Sequence, residues 1–206
     1  MQVDIIFSLI ILIFSIIIHE VAHGYMAEYF GDPTARLAGR LTLNPIPHID
    51  PLGSIILPAM LALTGSGLII GWAKPVPYNP YNLRNFKWGT IFVGLAGVLA
   101  NLALAVIFGL MIRFSAELGI GSGPFADMLY TIVFLNIVLA VFNMMPFPPL
   151  DGAKVLFAFL PVRFQAIHDS LEQNWILFII FIVFFAQAII GPISGMLFRV
   201  VTGVGI

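Results

Sequence analysis

His19, Glu20 and His23 stand in the pentapeptide His19-Glu20-Val21-Ala22-His23, inside an apolar run from Ile5 to Phe30. Two histidines four residues apart on a helix share one face, about a turn apart, and at that spacing both imidazoles reach a single zinc ion. The glutamate between them projects to one side, where it holds a water at the open position of the metal without ligating it. The pattern therefore points to metal-assisted hydrolysis. Its setting decides what is hydrolysed, because so apolar a helix is either the core of a soluble domain or a membrane span.

Composition separates the two. Hydrophobic residues make up 60% of the 206 residues and charged residues 9%, and the mean hydropathy is +1.05. Soluble domains carry about 25% charged residues, and so few charges cannot cover the surface of a soluble fold of this length. The sequence predicts an all-α polytopic membrane protein, a single integral-membrane domain over 1–206, with about four full transmembrane helices plus a re-entrant segment carrying short extended strands. The absence of cysteine excludes disulfides and thiolate metal sites, and a net charge of −1 gives no sign of nucleic-acid binding. Met1-Gln2-Val3-Asp4 lacks the positive n-region of a signal peptide, so the first helix is expected to be retained.

The expected spans are 4–30, 88–113, 125–145 and 175–199, with a short helix at 151–160. Gly31-Asp32-Pro33 closes the first helix, and Trp175 is placed as an interfacial anchor of the last. Arg40-Leu41-Thr42-Leu43-Asn44 alternates polar and apolar residues, which predicts a short strand ended by Pro45. Residues 71–79 predict a second extended piece. An exposed edge there would suit an unwound substrate segment, although Pro75 and Pro77 remove ladder donors.

The segment 51–79 either crosses the membrane or dips in and returns, and charge counting favours the return. With a re-entrant segment, Arg36, Arg40, Lys74, Arg84, Lys87, Lys154 and Arg163 fall on the side where the first helix ends, against Arg113 and Arg199 on the other. A full crossing leaves no bias. By the positive-inside rule the seven-residue side is cytoplasmic, so the N-terminus lies outside, the metal opens toward the cytoplasm, and Asp151 emerges beside His23.

A catalytic zinc takes three protein ligands and keeps one position open. His48, His168, Glu28, Asp32, Asp50, Asp151, Asp169 and Glu172 remain on that side as candidates for the third. Asp151 stands out through Asn143-Met144-Met145-Pro146-Phe147-Pro148-Pro149-Leu150-Asp151-Gly152, where prolines break a helix at membrane depth, a disruption tolerated only inside protein or beside a cavity. Helix N-capping is the competing role for Asp151. His48 and Asp50 are expected to structure their proline-rich loop, His168 and Asp169 to lie in a solvated connector, and Trp72 to anchor at the interface.

HEVAH on a membrane helix, followed more than a hundred residues later by NMMPFPPLDG, resembles the site-2 protease family of intramembrane zinc metalloproteases (peptidase family M50). Gly97-Val98-Leu99-Ala100-Asn101 is similar to the family's GxxxN. The segments from Asn44-Pro45 to Gly53 and from Gly71 to Pro77 resemble a compact prokaryotic branch without PDZ or CBS domains. The resemblance implies one zinc per chain held by His19, His23 and Asp151, with Glu20 as acid/base and Asn143 positioning the substrate carbonyl or stabilising the oxyanion. Asn101 is weighed equally as a substrate contact and as an interhelical hydrogen bond. The implied substrate is a membrane protein, either a transmembrane helix or a remnant signal peptide, cut in the lipid bilayer. A metal-transporting or metal-sensing protein with the same ligands is the alternative, and Glu20 discriminates the two, since transport needs no base. A di-iron oxidase would need more than the four histidines present.

The cysteine-free chain makes the orientation directly testable. A single cysteine replacing Glu117 should react with a membrane-impermeant maleimide in intact cells, and one replacing Ser170 only after permeabilisation; the reverse pattern would invert the topology.

Overall fold

The structure, a computed structural model, describes residues 5–56, 60, 73–120, 122–182, 184 and 187–204. Its helices are α1 (Ile5–Tyr29), α2 (Thr34–Leu37), α3 (Phe86–Arg113), α4 (Pro124–Asn143), α5 (Asp151–Phe159), α6 (Gln165–Gln173), α7 (Trp175–Phe181) and α8 (Gln187–Thr202). Among the described residues three helices are long and apolar enough to cross a membrane, Ile6–Tyr29, Phe86–Arg113 and Pro124–Asn143, and the apolar Ala188–Thr202 is shorter. The first three expected spans thus appear within a few residues of their predicted bounds. Of the expected fourth, 175–199, the structure describes α7 and α8, and residues 183, 185 and 186 between them lie outside the described residues.

Local chemistry sets the ends of these helices. At the end of α1 the Asp32 N–H donates to Ala27 O at 2.9 Å and the Gly31 N–H to Glu28 O at 2.9 Å. Gly31 takes a φ of 107° there, the left-handed C-cap that a glycine closes without a Cβ clash. Asn85 caps α3 by accepting the Trp88 N–H at 3.0 Å, which starts that helix two residues before the expected Trp88. Pro124 opens α4, and α4 ends at Asn143, clear of Pro146.

α3 is the central element and packs against α1, α4, α5 and α8. Its buried positions include Gly89, Gly94, Ala96, Gly97, Ala105 and Gly109, small residues that let several helix backbones approach it. Away from the metal-ligand motifs, Ala105, Ile112, Leu129, Val133, Ile137, Val141 and Phe198 form the main apolar cluster between α3, α4 and α8.

The described residues contain no strand. The one expected at 40–44 is replaced by turns, because polar side chains capture the main-chain donors locally. The Asn44 N–H donates to Thr42 Oγ1 and the Ile46 N–H to Asn44 Oδ1, both at 3.1 Å. Residues 73–79, where the second extended piece is expected, carry no regular secondary structure. Most of the re-entrant segment expected at 51–79, with Trp72, lies outside the described residues. Its near end is a short π-helical segment, Pro51–Ile56, where Asp50 Oδ1 accepts the Leu52 and Gly53 N–H groups at 2.9 Å.

Both ends of the connector between α1 and α3 sit at one end of the bundle, since the Arg84 N–H donates to Phe30 O at 2.8 Å. Asp32, with no solvent exposure, fixes this junction. Its Oδ1 accepts from Thr34 N–H at 3.2 Å and Asn82 Nδ2 at 2.9 Å, and its Oδ2 from the Asn79 N–H at 2.6 Å. Burial disfavours the charged carboxylate, but the donors of Thr34, Asn82 and Asn79 outweigh it and hold the Asp32 carboxyl below its ordinary range. A lowered folded-state value adds stability that is complete above the ordinary carboxylate range and is lost as pH falls through the lowered value. Asp32→Ala should therefore cost on the order of 3 kcal/mol at neutral pH, by stranding several buried donors, measured as a lowered thermal midpoint in detergent. The deficit against wild type should shrink on acidification.

Candidate metal centre

The turn of α1 that carries HEVAH faces α3, and the proline-rich turn after α4 delivers the start of α5 to the same place. His19, His23 and Asp151 are 5%, 6% and 4% exposed. His19 Nε2, His23 Nε2 and Asp151 Oδ2 form a triangle with all three sides 3.0 Å. The two imidazole planes stand nearly perpendicular, at 88°. Each ring is held from behind: the His23 Nδ1–H donates to the main-chain oxygen of Val93 and the His19 Nδ1–H to Asn101 Oδ1, both at 2.6 Å.

These rear contacts decide what the front of the triangle is. A main-chain oxygen only accepts, so His23 carries its proton on Nδ1 and presents a lone pair at Nε2. His19, donating through Nδ1, does the same. The third corner is a carboxylate oxygen. Three lone pairs thus converge within hydrogen-bond distance, an arrangement that repels itself until a cation lies among them. Two imidazole nitrogens and one carboxylate oxygen match the three protein donors of a catalytic zinc, and rear hydrogen bonds of this kind orient zinc-ligating histidines.

Asp151 is the first residue of α5, and Leu150 is the cap, with no side-chain cap bond. The capping role weighed for Asp151 is not the one its side chain takes. Its second oxygen, Oδ1, accepts from Lys154 Nζ at 2.9 Å, one helical turn along. Burial disfavours ionisation of Asp151, and the Lys154 ammonium beside it favours the charged carboxylate. Lys154 entered the sequence reading only as a topological charge. Its spacing of three from Asp151 on a helix was the signal that could have found it.

Glu20 is half-buried next to the triangle and outside it. Its Oε2 accepts the Val76 N–H at 2.7 Å. Pro75 and Pro77 have no N–H, so Val76 is the main-chain donor of that tripeptide, and it is spent on Glu20. Neighbouring Lys74 is tied inward as well, its N–H to His48 O at 2.9 Å and its O to Arg40 Nη2 at 2.7 Å. Pro75 and Pro77 therefore offer main-chain acceptors and no donor to anything lying alongside.

The remaining candidates lie elsewhere. Asn101 is fully buried, with its amide engaged inside the bundle. Asn143 donates to Leu139 O of its own helix at 3.0 Å. His48, also buried, makes a 3.0 Å bond through Nε2 to Thr42 O, within its loop. His168, Asp169 and Glu172 gather on α6, with the two carboxylates exposed.

Gly97 is the residue that lets α3 sit against the triangle. A Cβ there would lie 2.5 Å from His19 Cε1 and 2.6 Å from both His19 Nε2 and His23 Nε2. Glycine to alanine inside a helix otherwise favours the helix by about 1 kcal/mol. Gly97→Ala should nevertheless abolish stoichiometric zinc binding, measured by elemental analysis of the purified protein, while helical content by circular dichroism is kept.

Comparison with known proteins agrees with this geometry. The model of peptidase family M50 matches residues 119–186, which include Asp151. The chain is 37% identical over 184 residues to "Putative zinc metalloprotease YwhC" of Bacillus subtilis, covering 87% of this chain and 80% of that protein. It is 30% identical to "Putative zinc metalloprotease Rip2" of Mycolicibacterium smegmatis, over 82% of this chain and 63% of the relative. With the protein of that name in Mycobacterium tuberculosis H37Rv it shares 28% identity, over 89% and 68% of the two chains. No solved structure matches the chain. Taken with its buried histidine–aspartate triangle, the chain belongs to peptidase family M50, the zinc metalloproteases of the site-2 protease type.

Proposed function

We propose that this zinc metalloprotease is an intramembrane endopeptidase that hydrolyses peptide bonds in or near the transmembrane segments of membrane-anchored proteins. One observation carries the reading: three metal-competent lone pairs converge on a helix apolar enough to cross a membrane. His19 lies about 21 Å along α1 from Ile5 at 1.5 Å per residue, inside a hydrocarbon core of about 30 Å. Ionisable side chains at such depth are costly and mark function. The finer architecture belongs to the same proposal: one domain over 1–206, a fourth crossing made by the chain from 175 to 202, a re-entrant 51–79, an outer N-terminus and a site facing the cytoplasm.

His19, His23 and Asp151 would hold one zinc per chain, with Lys154 fixing the orientation of the Asp151 carboxylate. Bound there, zinc supplies Lewis acidity, polarising a carbonyl and acidifying water. Glu20 is the proton carrier: its carboxylate takes a proton from the attacking water and hands it to the departing amine. The Val76 N–H holds the Glu20 carboxylate beside the metal ligands. Asn143 is assigned to the substrate carbonyl, which requires its amide to leave Leu139 O for the developing oxyanion. Asn101, buried behind His19, acts through that ligand and not on substrate.

Glu20→Gln tests the mechanism, because the amide keeps the size and loses the base. Cleavage should fall by at least about 10²-fold while one zinc per chain is retained, and proteomics of membrane fractions should show short helices accumulating in the variant. Undiminished proteolysis would overturn the assignment, and a metal transporter would show no special need for Glu20.

A further inference from the structure

Behind the metal ligands runs a chain of buried amides that the zinc chemistry does not itself call for. Asn136, on α4, has no solvent exposure, and neither has Asn101. The Asn136 Nδ2 donates to Ile132 O of its own helix at 2.9 Å and to Ser15 Oγ of α1 at 3.0 Å. Its Oδ1 accepts from Asn101 Nδ2 at 2.9 Å, and Asn101 Oδ1 accepts from His19 Nδ1 at 2.6 Å.

The direction of this chain is fixed at one end only. Asparagine amides can be reversed without changing shape, and a serine hydroxyl both donates and accepts, so neither sets a direction alone. Ile132 O does, because a carbonyl cannot donate. It forces the nitrogen of Asn136 toward itself, which turns Asn136 Oδ1 toward Asn101. That oxygen then draws Asn101 Nδ2, leaving Asn101 Oδ1 to face His19. An acceptor at Nδ1 puts the imidazole proton on that nitrogen and the lone pair on Nε2, toward Asp151 and His23. Reversing Asn136 would reverse every step and place a proton on Nε2, where the metal must bind. His23 needs no such relay, since Val93 O faces it directly.

We propose that Asn136 is a positioning residue of the metal centre: through Asn101 it holds His19 in the tautomer whose Nε2 ligates zinc. Ser15 ties the relay to α1 one turn before His19, so that α1, α3 and α4 must be mutually seated before the first ligand is correct. The inference rests on the zinc reading above. Failure of that reading would appear as wild-type protein that holds no zinc, whereas failure of the relay would appear as equal affinities.

The test measures zinc affinity of the purified full chain by chelator competition. Asn136→Leu, which fills the space and removes the relay, should weaken zinc binding by about ten- to a hundredfold, the range expected for groups that orient a ligand, and should shift the absorption spectrum of the cobalt-substituted protein. Asn136→Ala carries the same expectation should the leucine variant not fold. Asn136→Asp should bind zinc nearly as wild type, since a protonated carboxyl still donates to Ile132 O and still accepts from Asn101. Asn101→Asp offers His19 an acceptor whatever stands at 136, so adding Asn136→Leu to it should cost little further affinity. Wild-type affinity in Asn136→Leu, or the same loss in both backgrounds, would overturn the relay, the second outcome showing a merely structural role.

Discussion

Three electron pairs held 3.0 Å apart in a low-dielectric interior are the constraint on which this structure depends. Left to themselves, two imidazole nitrogens and a carboxylate would not be neighbours in a buried site, because each repels the others. They stay together because each is anchored from behind: His23 by a main-chain oxygen, His19 by an amide, and Asp151 by the Lys154 ammonium and by its place at the start of α5. A cation placed among them would relieve that repulsion. Metal binding and bundle packing are therefore coupled, since the anchors come from α3 and α5 while the histidines ride on α1.

The bundle is built to permit this. Hydrophobic association gives little between helices in lipid, so close packing of small residues and interhelical hydrogen bonds must hold them. α3 supplies both, with glycine facing the two imidazoles at 97 and asparagine bonding across at 101. Buried amides such as Asn101 and Asn136 would be costly alone, and each is satisfied only when the neighbouring helices are in register. The same groups that make the fold specific also orient the metal ligands, so specificity and chemistry are not separable here.

The connector between α1 and α3 adds the hydrogen-bond partner of Glu20. Asp32 gathers donors from Thr34, Asn79 and Asn82 and thereby ties residues 79–82 to the end of α1. From that position Val76 reaches Glu20. Pro75 and Pro77, which flank Val76, carry main-chain acceptors and no donor. An unwound substrate lying alongside would contribute N–H groups and receive none from residues 75 and 77, so the segment is better suited to guiding a substrate than to pairing with it as a full strand.

Much of this was legible in the residues themselves. HEVAH, the proline-flanked LDG, the long apolar runs and the asymmetry of lysine and arginine carry local or additive information, which is why the motif chemistry and the first three spans are readable without coordinates. The strand expected at 40–44 failed because alternation reports a pattern of polarity, and Thr42 and Asn44 used their polarity to bind nearby main chain instead. Lys154, Val76 and Asn136 were not picked out, for a related reason: what each does depends on a partner 3, 56 or 35 residues away in sequence. The sequence by itself determined which atoms are able to ligate, to carry protons and to lie in lipid, because those are properties of residue type and spacing. Only the tertiary structure decided which nitrogen of each histidine faces the metal and which group steadies Glu20, because a tautomer and a hydrogen-bond direction are set by the neighbour across the helix interface.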